Sequence, residues 1–314
     1  MTSSGAHVVF GAGPVGSALI DELVERDLWV RAVSRSGARN LPPGVEVVAG
    51  DASDPEFSSE AARDAVAVYQ VMNPPYDRWP QLFPPLQDAV IAAAQANNAR
   101  FVSFENLYAY GDTMGTPISE ELPLEPDTKK GRVRARMAEQ LSELNEKGDL
   151  IVSTVRSSDY LGPGATWQSP IGERVIGRAI QGKSAQVIGD PSKLHSYTFV
   201  KDAGRVLATC GTEERAFGDV FIVPNAPAVS TRLVIEMVGD ELGRDIAISV
   251  APAPLLRVMG IFNANLREVL EMKYEFDRDF VADGSKFTRT FGIGPTPLRQ
   301  SVGATVAWWR SANS

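Results

Sequence analysis

Only one cysteine, Cys210, and two histidines occur in the 314 residues. A lone thiol cannot form an intramolecular disulfide, so the chain is expected in a reducing cytoplasm. Cys210 itself reads as a small buried side chain. The sequence also lacks a basic excess: 31 Lys and Arg stand against 39 Asp and Glu, for a net charge of −8. Nucleic-acid binding, which depends on clustered cations that neutralise phosphates, is therefore not expected. No apolar run is long enough to span a bilayer, and Met1–Ala6 lacks the basic and apolar regions of a signal peptide, so neither membrane nor export is expected. No metal is expected. A small molecule remains as the expected partner, with a homodimer allowed.

What is present is a glycine motif in an informative setting. The apolar run His7–Phe10 leads into Gly11, Ala12, Gly13, Pro14, Val15 and Gly16. Ser17–Arg26 follows, with Leu19, Ile20, Leu23 and Val24 at helical spacing. Between a strand and a helix, Gly11 makes the tight turn, Gly13 lets the backbone approach a pyrophosphate, and Gly16 lets the helix pack close on the sheet. Pro14 suits a first helical turn, whose N–H groups are spare. The amides and dipole of that helix N-terminus bind phosphate without a charged side chain.

Further strands are expected at Trp29–Val33, Val45–Ala49, Val66–Met72, Phe101–Phe104 and Leu150–Val155, with helices over Leu86–Asn97 and Val133–Leu144. Strands alternating with helices imply an α/β fold with a doubly wound parallel sheet, the Rossmann arrangement. Asp51 and Ala52 fall just past the third strand. There the Asp51 carboxylate is read either as an acceptor for the adenine amino group or as an ordinary turn aspartate. From Gly162 onward proline and glycine rise and apolar segments shorten, which suggests a smaller C-terminal substrate lobe. The expected division is 1–160 for dinucleotide binding, with 197–225 returning to it through strands at Tyr197–Val200 and Val220–Val223. Residues 161–196 and 226–314 are assigned to the substrate lobe. Ser230 is expected to cap a helix carrying Leu233, Val234, Met237 and Leu242. Thr296 and Pro297 are expected to open a last helix, with Leu298, Val302, Val306 and Trp309 on one face. Trp308 and Trp309 read as packing residues.

About twenty positions beyond the last glycine, where NAD sites place an acid for the ribose, stand Ser34, Arg35 and Ser36. None is acidic. A guanidinium between two hydroxyls suits a 2′-phosphate, so NADP(H) is favoured over NAD(H), with NAD as the alternative.

The glycine motif, Gly50-Asp51-Ala52-Ser53-Asp54, Tyr110-Gly111, Tyr160-Leu161-Gly162-Pro163-Gly164 and Phe199-Val200-Lys201-Asp202 occur in an order that resembles the extended short-chain dehydrogenase/reductase superfamily. That group includes the NAD-dependent epimerases and dehydratases. The resemblance implies cofactor contacts at Val71, Met72 and Asn73, and places Ser157 and Ser158 near the nicotinamide. It places Asp159 and Tyr160, which follow directly, on the substrate side. It also implies a catalytic Ser or Thr, then a Tyr followed four residues later by Lys, and here the chain departs. Asn106 takes the serine position, Lys130 the tyrosine position and Arg134 the lysine position. Arg134 is then expected to hold the nicotinamide ribose, and Asn106 to polarise a substrate oxygen by donating its amide hydrogen. Proton supply is left to Lys130, to Tyr108 on the Asn106 loop, or to water. Lys130 is otherwise a solvated helix start, and Tyr108 otherwise a packing residue. His195 falls near a position where nucleotide-sugar enzymes of the group often carry an arginine, which favours a smaller or less charged substrate. Met259, Phe262 and Met272 line an adaptable apolar pocket if they face a cleft, and are core otherwise. Three functions follow: an NADP(H)-dependent oxidoreductase on a small, partly apolar carbonyl or alcohol; an NmrA-like NADP(H) sensor without catalysis; or a redox-neutral epimerase or dehydratase.

Overall fold

A strand that runs into a helix can pair with the next strand only in parallel, because the helix carries the chain back to the starting edge. The computed structural model, which describes residues 5–37, 40–250 and 270–312, shows this pattern repeated. The strands β1 (Ala6–Phe10), β2 (Val30–Ser34), β3 (Glu46–Ala49), β4 (Ala65–Gln70), β5 (Arg100–Asn106) and β6 (Val152–Ser157) join a seventh, Val220–Ile222. Their order from one edge is Val220–Ile222, β6, β5, β4, β1, β2, β3, and every pairing is parallel. The order reverses between β1 and β4, so the carboxyl ends of these two strands open the crevice where such sheets receive ligands.

The helices α1 (Pro14–Glu25), α2 (Pro55–Ala61), α3 (Trp79–Ala96) and α4 (Lys129–Glu146) cover the sheet. Val8, Phe10, Val68, Phe101 and Val152 pack with α2, α3 and α4 through Ala61, Val90, Ala94 and Leu141. The alternate residues of the same strands face the other way, where Tyr69 meets His7 and abuts Gly211 on the helix Val200–Thr212. That alternation, apolar on both faces, is what a sheet covered on both sides requires.

Residues 1–109, 124–157 and 201–223 cluster as one compact unit, and residues 110–123, 158–200 and 224–314 as another. The second unit has its own core, in which Ile171, Val175, Phe199, Val234, Val302 and Trp309 pack together. Ser230 caps the helix Thr231–Leu242 by accepting from the Leu233 N–H, and Val302, Val306 and Trp309 lie on the buried face of the helix Leu298–Ala312.

Three elements differ from expectation. Of Tyr197–Val200 only Thr198–Phe199 is strand; it pairs with Tyr160–Leu161 inside the second unit, and Val200 already begins a helix. Helix α3 begins at Trp79 rather than near Leu86, running through Pro84 and Pro85. Two internal prolines cost helix hydrogen bonds. Burial of Trp79 and Phe83 against Val133 and Met137 offsets that loss. Strand β4 stops at Gln70, so Val71 and Met72 already belong to the loop. Among the described residues no helix is long and apolar enough to cross a membrane.

Candidate functional site

At the end of β1, Gly11 adopts φ +113°, and a Cβ there would lie 2.8 Å from the Val71 carbonyl oxygen. A Cβ on Gly16 would fall 2.0 Å from the Gly11 carbonyl oxygen, so α1 approaches the turn as closely as it does only because position 16 has no side chain. Gly13 is different: it caps α1 with φ −75° and ψ −168°, and a Cβ there would meet nothing within 4 Å. The space over Gly13 is open, Pro14 follows in the first turn, and no side chain caps the helix. Unfilled room over uncapped amides is what a pyrophosphate needs, so the turn fits a dinucleotide.

The neighbouring strand ends complete this cradle. Arg35 and Ser36 are exposed beyond β2, whereas Ser34 Oγ is buried without a hydrogen-bond partner among the described residues. Asp51 is exposed, and its Oδ1 accepts from both the N–H and the Oγ–H of Ser53 (3.0 and 2.7 Å). Those two bonds, with the charge of Arg35 a lesser cause, hold its carboxyl below the usual range. The turn role is therefore occupied. The side chain of Ala52 lies in the core. Val71 and Met72 are half-buried and Asn73 exposed past β4.

Asn106, at the carboxyl end of β5, accepts the Tyr108 N–H on its Oδ1 at 3.3 Å, which leaves the amide hydrogens on Nδ2 as the donors. Tyr108 Oη in turn accepts from Tyr76 Oη at 3.2 Å. Lys130 is buried in the first turn of α4, with its ammonium over the Tyr76 ring, 4.4 Å from the centroid. That first turn lies close because Gly131 has no side chain: a Cβ would fall 2.6 Å from the Tyr108 carbonyl oxygen. Thr128 caps the helix by accepting from the Gly131 N–H. The structure thus brings together Asn106, Tyr108 and Lys130, and adds Tyr76 and Trp79, which the sequence reading did not single out. Trp79 packs edge-on against Tyr76 (5.2 Å) and beside Tyr108 (5.9 Å).

Arg134 is employed differently from the ribose role expected of it. Its side chain is buried, with Nη2 3.6 Å from Glu105 Oε1 and 3.4 Å from the Phe104 carbonyl oxygen, and its guanidinium over Phe83 at 4.8 Å. Arg156 Nε donates to the other oxygen of Glu105 at 3.1 Å. Burial pulls the Arg134 pKa down, partly opposed by Glu105. Glu105 and Arg156 were not marked by the sequence reading, although a glutamate and an arginine inside strands this apolar are themselves a signal, and they sit directly opposite each other in the ladder.

Ser157 and Ser158 are both buried, and Ser158 Oγ donates to the Ser196 carbonyl oxygen at 2.7 Å. In the second unit Asp159 Oδ2 lies 3.1 Å from His195 Nε2, and His195 Nδ1 lies 3.2 Å from the Glu275 carbonyl oxygen. A carbonyl only accepts, so Nδ1 carries hydrogen. His195 is buried between the rings of Phe276 and Phe280, each 5.3 Å away. Burial, then the Asp159 charge, pushes the Glu275 carboxyl well above its ordinary value, and the same causes push the Tyr160 phenol up to about 12. Met272 is buried, while Met259 and Phe262 lie outside the described residues.

A reversing seven-stranded parallel sheet with an open glycine turn defines a dinucleotide-binding domain. Residues 11–157 match the family model described as NAD(P)H-binding. Over 209 residues the chain is 22% identical to the uncharacterized protein y4nL of Sinorhizobium fredii, a match that covers 61% of this chain and 56% of that protein, little more than half its length. The fold is similar to that of WbmH of Bordetella bronchiseptica in complex with NAD+, with TM-score 0.78, 20% identity and 99% of each chain covered. It is equally similar to UDP-glucose 4-epimerase of Thermotoga maritima with UDP-glucose, at TM-score 0.78 and 17% identity, covering 98% of this chain and 100% of that one. Residues 11–157 thus carry the likeness to an NAD(P)H-binding domain, and the chain as a whole the fold of WbmH and of UDP-glucose 4-epimerase.

Proposed function

We propose that the protein is an NADP(H)-dependent oxidoreductase that acts on a small, partly apolar carbonyl or alcohol. The observation that carries this reading is the open, uncapped turn at Gly13 on the same sheet end as Asn106, whose amide hydrogens are left to donate. Gly11–Gly16 would hold the diphosphate and Arg35 with Ser36 the 2′-phosphate. When bound, the nicotinamide supplies or receives a hydride. Asn106 would orient and polarise the carbonyl oxygen as charge develops on it, and a nearby side chain would exchange the proton. Asp159 and His195 are assigned to the substrate side. The Asp159 carboxylate beside His195 offers little to an anionic substrate, which favours an uncharged one.

A redox-neutral epimerisation or elimination is the second reading, favoured by the likeness in fold to a UDP-glucose 4-epimerase. Calorimetry with NADPH and NADH, followed by a carbonyl and nucleotide-sugar panel, separates the two. Net consumption of the reduced coenzyme supports the oxidoreductase, and product without net consumption supports the second. Binding without turnover on any substrate points to a sensor, and absence of uptake of either coenzyme sinks every version. Arg35→Asp is expected to weaken NADPH at least tenfold more than NADH, since it replaces a bidentate phosphate donor by a like charge. Equal losses would overturn the NADP(H) preference.

A further inference from the structure

We propose that Tyr108 is the proton donor of the reaction and that Tyr76, held under the Lys130 ammonium, is a positioning residue that stabilises the phenolate Tyr108 leaves behind. The proposal rests on the oxidoreductase reading and completes its proton path. It uses groups of the first unit alone, drawn from the loop after β4, the carboxyl end of β5 and the first turn of α4.

The direction of one hydrogen bond carries the argument. Tyr76 Oη donates to Tyr108 Oη at 3.2 Å, so the proton of Tyr108 is directed elsewhere and its oxygen has a donor already in place. Lys130 stands over the Tyr76 ring, 4.4 Å from the centroid, where a cation strengthens the phenol as a donor. The indole of Trp79 packs on both phenol rings and is itself pinned by donating its Nε1–H to the Pro74 carbonyl oxygen at 3.2 Å. Arg134, over Phe83, and Glu105, which engages Arg134 and Arg156, are charges of the same helix and strand. Tyr108 leaves the same strand end as Asn106, and its N–H fixes the Asn106 amide.

A reduced nicotinamide held at Gly11–Gly16 would supply the hydride that the carbonyl carbon gains, and the C=O π pair would move onto oxygen. That oxygen forms a bond to the Tyr108 proton while the phenolic O–H bond breaks and leaves its electron pair on Tyr108. The resulting phenolate accepts the Tyr76 hydrogen bond under the Lys130 charge, and water returns the proton.

The test reads the phenol directly in the ligand-free protein, by ultraviolet absorbance of tyrosinate against pH. Tyr69, Tyr160 and Tyr197 are all pushed up by burial and stay out of the window. The transition lost in Tyr108→Phe identifies Tyr108. It is expected below the ordinary tyrosine value of about 10. Tyr76→Phe and Lys130→Met should each raise it by about one pH unit, matching loss of a hydrogen bond to a charged oxygen, and slow turnover about tenfold. Lys130→Arg, which keeps the charge, should restore the midpoint. Binding of NADPH should survive Tyr76→Phe. A Tyr108 midpoint that ignores both Tyr76→Phe and Lys130→Met would show that the rings only pack and would overturn the proposal with the function intact. Failure of the wild-type protein to take up either coenzyme would overturn the oxidoreductase reading instead.

Discussion

Replacing Gly13 and Gly16 in turn by alanine separates the cofactor role of the glycine turn from its structural role. At Gly13 the backbone has φ −75° and ψ −168°, open to any residue, and a Cβ meets nothing within 4 Å. Gly13→Ala is therefore expected to leave stability within about 0.5 kcal/mol of wild type, with a small gain from the stiffer unfolded chain as the upper limit. The methyl group, however, would fill the room over the helix N-terminus. Displacing an anion from amides whose charge-assisted bonds are worth roughly 1–3 kcal/mol corresponds to a Kd about ten- to a hundredfold weaker. At Gly16 the added Cβ would stand 2.0 Å from the Gly11 carbonyl oxygen and 2.9 Å from its carbon. Backbone cannot yield there without moving α1 off β1, so Gly16→Ala should lose at least about 1–3 kcal/mol of stability. Urea denaturation and calorimetry with NADPH measure both quantities on both variants. Wild-type affinity in Gly13→Ala would refute the cradle, and wild-type stability in Gly16→Ala would refute the packing argument.

Three further outcomes are expected. His7 is buried against Tyr69, at 2.8 Å, and burial, reinforced by Arg100 and Arg26, lowers its pKa from 6.5 to about 4. The unfolded chain therefore takes up a proton before the folded one as pH falls through this window, and His7 should cost the fold about 2 kcal/mol by pH 5 and about 3 by pH 4. Only two imidazoles exist in the chain, so proton NMR resolves the titration, and a His7 midpoint near 6.5 would contradict it. Glu105→Gln leaves two buried guanidinium groups without their carboxylate and should destabilise by about 3–5 kcal/mol in urea, a loss under about 1 arguing against a buried triad. Glu275 has a raised folded pKa, so its contribution is present at acid pH and is lost as pH rises above the unfolded value of 4.5. Glu275→Gln should flatten that decline above the unfolded value, and parallel stability profiles would refute it.

The sheet was legible because its signal is local and repeated. Each of the first six strands is an apolar run of a few residues, and each boundary has a chemical cause, such as Gly11 after Phe10 or the Pro-rich stretch after Gln70. The misread elements are those in which a long-range contact overrides the local rule. Pro84 and Pro85 argue against a helix, yet Trp79 and Phe83 bury against α4 and hold one. Tyr197–Val200 has strand composition throughout, but only two of its residues find a ladder, and the partner is Tyr160–Leu161.

The site was legible wherever main chain performs the function, and less so wherever side chains do. Glycines at 11, 13 and 16 announce their purpose because few other constraints demand that spacing. A position such as Arg134 does not, since a guanidinium four residues beyond Lys130 is equally suited to a ribose and to a buried carboxylate. What decides is the partner, and Glu105 lies on another element, invisible until β5 and α4 are packed. The consequence reaches the chemistry. The Arg134 charge is committed to Glu105 and the Phe104 carbonyl, and the Lys130 ammonium stands over the Tyr76 ring. A phenol and an amine, Tyr76 and Lys130, are thus assembled from different elements at the same end of the sheet as Asn106.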